Sequence, residues 1–387
     1  MVVQIITRLA LGGAQQIVYQ LASRLKEDGE EVIVFTGYSS DETRESSNND
    51  IILNKILKKK IKVKICKYFR NSISVGNDLL AVIWIYKNLK KLNPSVVHIH
   101  SSKTGVLGRL ACKLAGVDNV IYHVHGWSFS RSNGLTKWLY IFVERIFFYL
   151  TNKYIFVCNQ DIVDYVKYGG TKRIYDRARI IYPGVLHKST KDDSFERALL
   201  RKELGLKKDD FVIGAIGRLD FQKNPLFFFK FAVKYSKINS NVKFLWIGDG
   251  VLSHDVKKFI QQERLESKVI LPGYIPEVEK YFCVFDIFTI TSRYEGLPVT
   301  AIKSMAVGVP VVGFLRNGMI DLDKKFDSFF GVDCEDMEKF ISTISRLQVV
   351  IKEKSLNMDI EKNFIKDHWS MESMLDEIYD YYKQEVL

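Results

Sequence analysis

The chain opens on Val2-Val3-Gln4-Ile5-Ile6, a β-branched run that reads as a strand. Residues 14–26 follow with Ile17, Leu21 and Leu25 on one stripe at helical spacing. The next apolar run, 31–36, reads as a strand, as do 96–100, 119–123, 154–158 and 178–182, with helical patterns between most of them. Strands that alternate with helices predict βαβ units and a parallel sheet covered on both faces. From Leu186 to Lys202 the pattern stops. This stretch carries His187, Lys188, Lys191, Asp192 and Asp193 and almost no apolar run, so it reads as an interdomain linker. The alternation then restarts, with strands predicted over 211–216, 242–247, 268–271, 286–290 and 309–313. Two sheets of one type are expected, in a domain over 1–185 and a second over 200–365. There is no short-period repeat.

The length of 387 residues agrees with two or three domains at roughly 150 residues each. With 47% hydrophobic and 26% charged residues the chain is of ordinary globular composition, which excludes a disordered or fibrous protein. Cys66, Cys112, Cys158, Cys283 and Cys334 are odd in number, widely spread and never in a Cys-x-x-Cys pair. That argues against a disulfide framework and a thiolate zinc site, and favours a reducing compartment. No apolar run approaches the roughly 18 residues of a membrane-spanning helix. The first residues, broken by Gln4 and Arg8, do not read as a secretory signal, and a cytoplasmic location is expected. The net charge of +12 changes the picture, because it calls for an anionic partner: nucleic acid, a membrane face or a phosphorylated substrate.

In open parallel sheets, ligands bind beyond the carboxyl ends of the strands, and two such sheets in tandem predict a cleft between those ends. After the first strand come Gly12 and Gly13, opening a helix, where backbone can approach an anion or sugar closely. A tight turn without ligand explains the same pair. After the strand over 211–216 come Gly217-Arg218 and Lys223-Asn224. A guanidinium fork with an ammonium point charge suits a diphosphate, and two solvated surface cations are the plain alternative. After the strand over 286–290 comes Glu295-Gly296-Leu297-Pro298. Pro298 fits a helix start, and the amides just before it are free to hold a phosphate.

Taken together and in order, these segments resemble family 4 of the nucleotide-sugar glycosyltransferases. The matching stretches are Gly12-Gly13-Ala14, His123-Val124-His125-Gly126-Trp127, Gly217-Arg218-Leu219 with Lys223-Asn224, Gly248-Asp249-Gly250, and Glu295 to Pro298 with Ala306 to Val312. Ser101-Ser102-Lys103-Thr104-Gly105 adds the flavour of the bacterial capsule, exopolysaccharide and O-antigen branch. The resemblance implies a GT-B fold, α/β with two Rossmann-like doubly wound domains, and C-terminal helices over 366–387 that return to the first. It implies a retaining transferase moving a hexose or N-acetylhexosamine from a UDP- or GDP-sugar to a lipid-linked saccharide. By the same resemblance His125 and Glu295 are catalytic, Arg218 and Lys223 grip the donor diphosphate, and Gly12, Gly13, Gly296 and Leu297 approach it. No metal or other cofactor is expected, since cations and amides can stabilise a departing nucleotide diphosphate.

Two positions depart from the family pattern. Its second glutamate would be residue 303, where this chain has Lys303, which donates hydrogen bonds and accepts none. The following stretch, Arg316-Asn317-Gly318-Met319-Ile320-Asp321, also differs. Lys303 is therefore either part of a modified donor site or the mark of a catalytically weakened partner subunit. His98 with His100, and His123 with His125, each share a strand face and could chelate, but no carboxylate cluster joins them. Eight cations from Lys55 to Arg70, with no acid between, suit either a solvated surface or the anionic inner membrane face. Nucleic acid is not expected, for want of a recognition motif. The aromatic stretch from Trp138 to Leu150 reads as a core helix, with contact to a membrane as the alternative.

Overall fold

The computed structural model describes residues 1–10, 12–38, 51–70, 72–186 and 194–384. It divides into two compact units, Met1–Pro183 together with Met374–Leu387, and Gly184–Ser373.

The first unit runs β1 (Val2–Ile5), α1 (Gly13–Glu27), β2 (Val32–Thr36), α2 (Ile51–Lys58), β3 (Lys62–Ile65), α3 (Val75–Leu92) and β4 (Val96–His100). It continues α4 (Ser102–Ala115), β5 (Val120–Val124), α5 (Gly134–Phe147), β6 (Lys153–Phe156), α6 (Asn159–Lys167), α7 (Ile174–Arg177) and β7 (Ala178–Ile180). Its seven strands lie in the order β3-β2-β1-β4-β5-β6-β7, all parallel. Strands β4 and β5 are buried along their whole length, which explains their apolar, β-branched composition.

The second unit runs α8 (Ser194–Glu203), β8 (Phe211–Ile216), α9 (Pro225–Ile238), β9 (Val242–Ile247), α10 (Ser253–Gln262), β10 (Val269–Gly273) and β11 (Ile287–Ile290). Then come α11 (Val299–Ala306), β12 (Val311–Phe314), α12 (Gly318–Lys325), β13 (Phe329–Val332), α13 (Met337–Lys352) and α14 (Asp359–His368). The sheet order is β10-β9-β8-β11-β12-β13. Strand order reverses at β1/β4 in one sheet and at β8/β11 in the other, and each reversal parts the loops enough to admit a ligand. Rings fill the second core edge to face, among them Phe227 on Phe314 at 4.8 Å and Phe231 on Phe340 at 5.0 Å.

The last helix, α15 (Met371–Lys383), enters the first unit at Met374. There Lys153 Nζ donates to the Tyr381 carbonyl at 3.1 Å, and Asn119 Nδ2 to that of Tyr382 at 3.1 Å. The preceding helix α14 stays in the second unit.

Three elements depart from the sequence reading. The linker expected over 186–202 contains α8; its middle, 187–193, lies outside the described residues. Helix α8 is anchored by ions rather than by an apolar stripe: Arg197 and Arg201 donate to the two oxygens of Asp286 at 2.7 and 2.8 Å. Strand β3 lies inside the lysine-rich stretch, formed by its ladder with β2. Strand β13, Phe-Phe-Gly-Val, has too short a run to signal itself and forms by pairing with β12.

Candidate active site

In the second unit the predicted residues gather at the carboxyl ends of β8 and β11. Gly217 follows β8 directly, and a Cβ there would lie 3.3 Å from Lys223 Cε, so the lysine stem runs along the glycine. Asp220 holds the turn, accepting from the Lys223 amide at 3.0 Å and pairing with Arg218 at 3.0 Å. Asn224, in the left-handed conformation, then starts α9 with Pro225 behind it. Lys223 is thereby aimed at Glu295: Nζ donates to Oε1 at 2.6 Å, and the two side chains are only 20% and 10% exposed. Gln222 braces the loop by donating to the Tyr294 carbonyl at 3.1 Å and accepting from Arg218 at 3.2 Å. Arg218 is more than half exposed, so its guanidinium is available to an anion.

The turn into α11 is built for close approach. Gly318 donates to the Gly296 carbonyl at 2.9 Å, and a Cβ on Gly318 would lie 2.1 Å from that oxygen. The Gly296 and Leu297 amides donate to no group among the described residues, which leaves two N–H groups for an anion beside the helix start. Gly248, at φ +139°, needs its glycine, because a Cβ would lie 2.0 Å from the Gly217 carbonyl. Lys303, one turn along α11, donates to Glu279 Oε1 at 2.8 Å. A carboxylate does stand beside residue 303, contributed from 24 residues earlier in the chain. The departing 316–321 stretch is largely the start of α12 and provides the Gly318 contact.

In the first unit the carboxyl ends of β1 and β4 are joined by hydroxyls. Ser101, at φ +64°, bonds Thr7 Oγ1 and Thr104 Oγ1, each at 2.8 Å, and Thr104 donates to the His100 carbonyl. Gly12 caps α1 in an extended conformation that any residue adopts, and a Cβ there would meet only the flexible end of Gln15. The fold therefore does not demand glycine at position 12. Gly13 is the first residue of α1, in the turn whose amides have no partner within the helix.

His98, His100, His123 and His125 form an array of stacked and tilted rings at the ends of β4 and β5, with centroids 4.1 to 5.4 Å apart where they touch. His98 Nδ1 shares a hydrogen bond with the Tyr382 hydroxyl at 2.6 Å, and His100 Nδ1 one with His125 Nε2 at 3.1 Å. Burial pushes His98, His100 and His123 well below the ordinary imidazole range. Burial, helped by Arg131, takes His125 to about 3. All four are neutral at pH 7. Ring nitrogens of His98, His100 and His123 lie within 4.8 Å of one another. Among the described residues no carboxylate or thiolate joins that cluster, so its only donors are neutral imidazoles.

The structure thus brings Lys223 and Glu295 together, sets Arg218, Gly296 and Leu297 in the same group of loops, and gives Lys303 a carboxylate partner. Sequence reasoning missed Asp220, Gln222, Glu279 and the Thr7–Ser101–Thr104 link. Ser-Ser-Lys-Thr-Gly was the available signal for the last of these. A cavity of about 900 Å³ opens at the other, amino ends of the second sheet, lined by Arg197, Arg201 and Asp286 among others. Its two guanidiniums are engaged with Asp286 and backbone carbonyls, so it has the character of an anchor for α8.

Comparison with known proteins agrees with this layout. The profile of Glycosyltransferase Family 4 matches residues 11–187, and that of Glycosyl transferases group 1 matches residues 196–366. An Escherichia coli protein, UDP-Gal:alpha-D-GlcNAc-diphosphoundecaprenol alpha-1,3-galactosyltransferase, is 33% identical over 329 residues, 80% of this chain and 81% of that one. The chain belongs to the family 4 glycosyltransferases and is a glycosyltransferase enzyme of the GT-B fold, in the company of surface-polysaccharide transferases. Among solved structures, Anabaena Alr3699/HepE in complex with UDP and glucose shares the fold at a TM-score of 0.78 and 15% identity, over 99% of both chains. WaaG, a glycosyltransferase of lipopolysaccharide biosynthesis, does so at 0.74 and 14%, over 100% of both.

Proposed function

We propose that this protein transfers a hexose or an N-acetylhexosamine from a UDP- or GDP-sugar to a lipid-linked saccharide, with retention, in surface-polysaccharide synthesis. UDP-galactose is the donor to try first, because the E. coli relative is named for it. The observation that carries the proposal is the Lys223–Glu295 pair beside Arg218 and the Gly296–Leu297 amides. An ammonium has three N–H donors. Lys223 can keep Glu295 on one and offer another to a phosphate oxygen.

The bond from the anomeric carbon to the diphosphate oxygen breaks, and its electron pair leaves with the nucleotide. Arg218, Lys223 and the two amides meet that growing charge. The acceptor hydroxyl bonds the anomeric carbon and passes its proton to the departing diphosphate oxygen. Glu295 contacts the transferred sugar. His125, neutral at pH 7, offers the sugar a hydrogen bond rather than a charge. Gly12 and Gly13 leave room for the donor, and Lys303 with Glu279 lies on the nucleotide side. No metal is assigned, since protein cations and amides answer the diphosphate. The lipid-linked acceptor implies work at the cytoplasmic face of an anionic membrane, with no nucleic-acid partner. No helix among the described residues is long and apolar enough to cross a membrane.

Isothermal titration with UDP, GDP and their sugars tests the reading. Arg218→Ala and Lys223→Ala should each lose donor affinity, and unchanged binding in both would sink the assignment. Lys303, bound to Glu279 in place of the expected glutamate, supports the second reading, a partner subunit with weakened turnover. An inactive wild type that gains donor binding on Lys303→Glu would favour it.

A further inference from the structure

We infer that the outer face of α5, continued over α4 and α3, docks on an anionic lipid bilayer. Helix α5 buries only Ile141 and Glu144 of its fourteen residues. The side expected to be core is instead open: Leu135, Trp138, Leu139, Phe142 and Ile146 recur every three or four residues and are 48 to 86% exposed. Tyr149, just past the helix, is 72% exposed. A stripe of large apolar side chains in water marks an interaction surface.

The surface extends beyond one helix. The connections β3→β4, β4→β5 and β5→β6 all step the same way across the sheet, so right-handed crossovers place α3, α4 and α5 on one face. Lys103 on α4 pairs with Asp78 on α3 at 2.7 Å, and Arg109 on α4 with Glu144 on α5 at 2.8 Å, so the three helices are neighbours. Helix α3 turns Val75, Leu79 and Ile83 outward at a spacing of four, and α4 exposes Leu110 and Leu114.

Charge identifies the occupant. The only acid on α5, Glu144, is buried against Arg109. Asp78 of α3 is held by Lys103. The exposed cations around the apolar stripe are Lys87, Lys90 and Lys91 on α3, Lys113 on α4 and Arg145 on α5. Apolar side chains ringed by Lys and Arg, with the acids of α3 and α5 held by cations and Asp118 exposed only beyond the end of α4, match the interface of an anionic leaflet better than a protein partner. The lysine-rich stretch of α2 and β3 fits less well. Lys59 pairs with Glu27 and Lys62 with Glu31, Lys64 donates to Asn88, and few apolar side chains stand beside them. The choice of a lipid surface as occupant rests on the lipid-linked acceptor proposed above.

The test is flotation of the full chain, without donor or acceptor, on vesicles of phosphatidylcholine with 30% phosphatidylglycerol and on phosphatidylcholine alone. The wild type should float with the anionic vesicles. Leu139→Glu/Phe142→Glu, with an unchanged Tm, should lose at least tenfold in partition coefficient. Lys58→Glu/Lys60→Glu should lose less than threefold. A folded L139E/F142E variant that floats like wild type overturns the inference, as does a wild type that floats with neither vesicle. A wild-type dimer in lipid-free buffer that this variant turns into a monomer also overturns it, in favour of a copy-to-copy interface. Turnover of a water-soluble acceptor is scored separately. If turnover is absent but flotation behaves as stated, the glycosyl-transfer reading fails and the docking face stands.

Discussion

Replacing Lys223 by methionine removes the ammonium and keeps the stem volume beside Gly217. Two effects follow from the geometry. The first is the loss of a charge-assisted hydrogen bond to the donor diphosphate, worth about 1.5–3 kcal/mol, or roughly ten- to a hundredfold in affinity. The second comes from Glu295, which loses its 2.6 Å partner while only 10% exposed and then stands as an unbalanced negative charge near the phosphates. Repulsion adds to the loss, so K223M should lie at the weak end of that range. Glu295→Gln alone should leave UDP affinity within about threefold and cut turnover sharply. The double variant K223M/E295Q should recover about 1 kcal/mol of UDP binding, roughly fivefold, because the stranded charge is gone. Calorimetric titration of UDP into all four proteins reads the cycle, with Tm as the check on folding. A double variant that binds UDP as weakly as K223M would refute the coupling between these two side chains.

Gly12→Ala should leave Tm within a degree or two, since the added Cβ meets only the end of Gln15, yet lower donor affinity where backbone must come close; a variant with normal affinity would remove Gly12 from the site. Gly318→Ala should do the opposite, lowering Tm by steric conflict with the Gly296 carbonyl at a cost of about 1–3 kcal/mol, read from denaturant midpoints. Glu144→Gln strands the fully buried Arg109 and should destabilise by about 3–5 kcal/mol at constant m, and a loss under 1 kcal/mol would contradict the pairing. The histidines give a pH prediction. Their folded values are depressed, so the unfolded chain binds the extra protons once pH falls below about 6.5. Stability should be flat above that point and fall at up to about 1.4 kcal/mol per pH unit per histidine below it. His123→Gln should flatten the slope by one proton, and an unchanged slope would contradict the buried neutral state.

Local and non-local information separate clearly in this chain. Strand β8 is an apolar run and β9 is apolar but for Lys243, visible because a two-sided sheet demands such runs. Gly217-Arg218 and Glu295-Gly296 were legible as strand-end loops for the same reason. Helix α8 was not, because its anchor is Asp286, more than eighty residues away. Lys303 reads in the sequence as a lost carboxylate, because its partner Glu279 stands 24 residues earlier, outside any local pattern. The aromatic stretch of α5 has the composition of a core helix, and composition does not say which way a stripe faces. Only packing reveals that all of its residues but Ile141 and Glu144 are turned outward or half-covered.

The most direct test of the central claim is a transfer reaction. Purified protein is given UDP-galactose and a short-chain alkyl diphosphate carrying N-acetylglucosamine, and the product is read by mass and by the anomeric coupling constant. The account predicts one added hexose with a small α coupling, abolished by Arg218→Ala and Lys223→Ala. A β-linked product would contradict retention. The absence of both product and UDP binding would contradict the donor site itself.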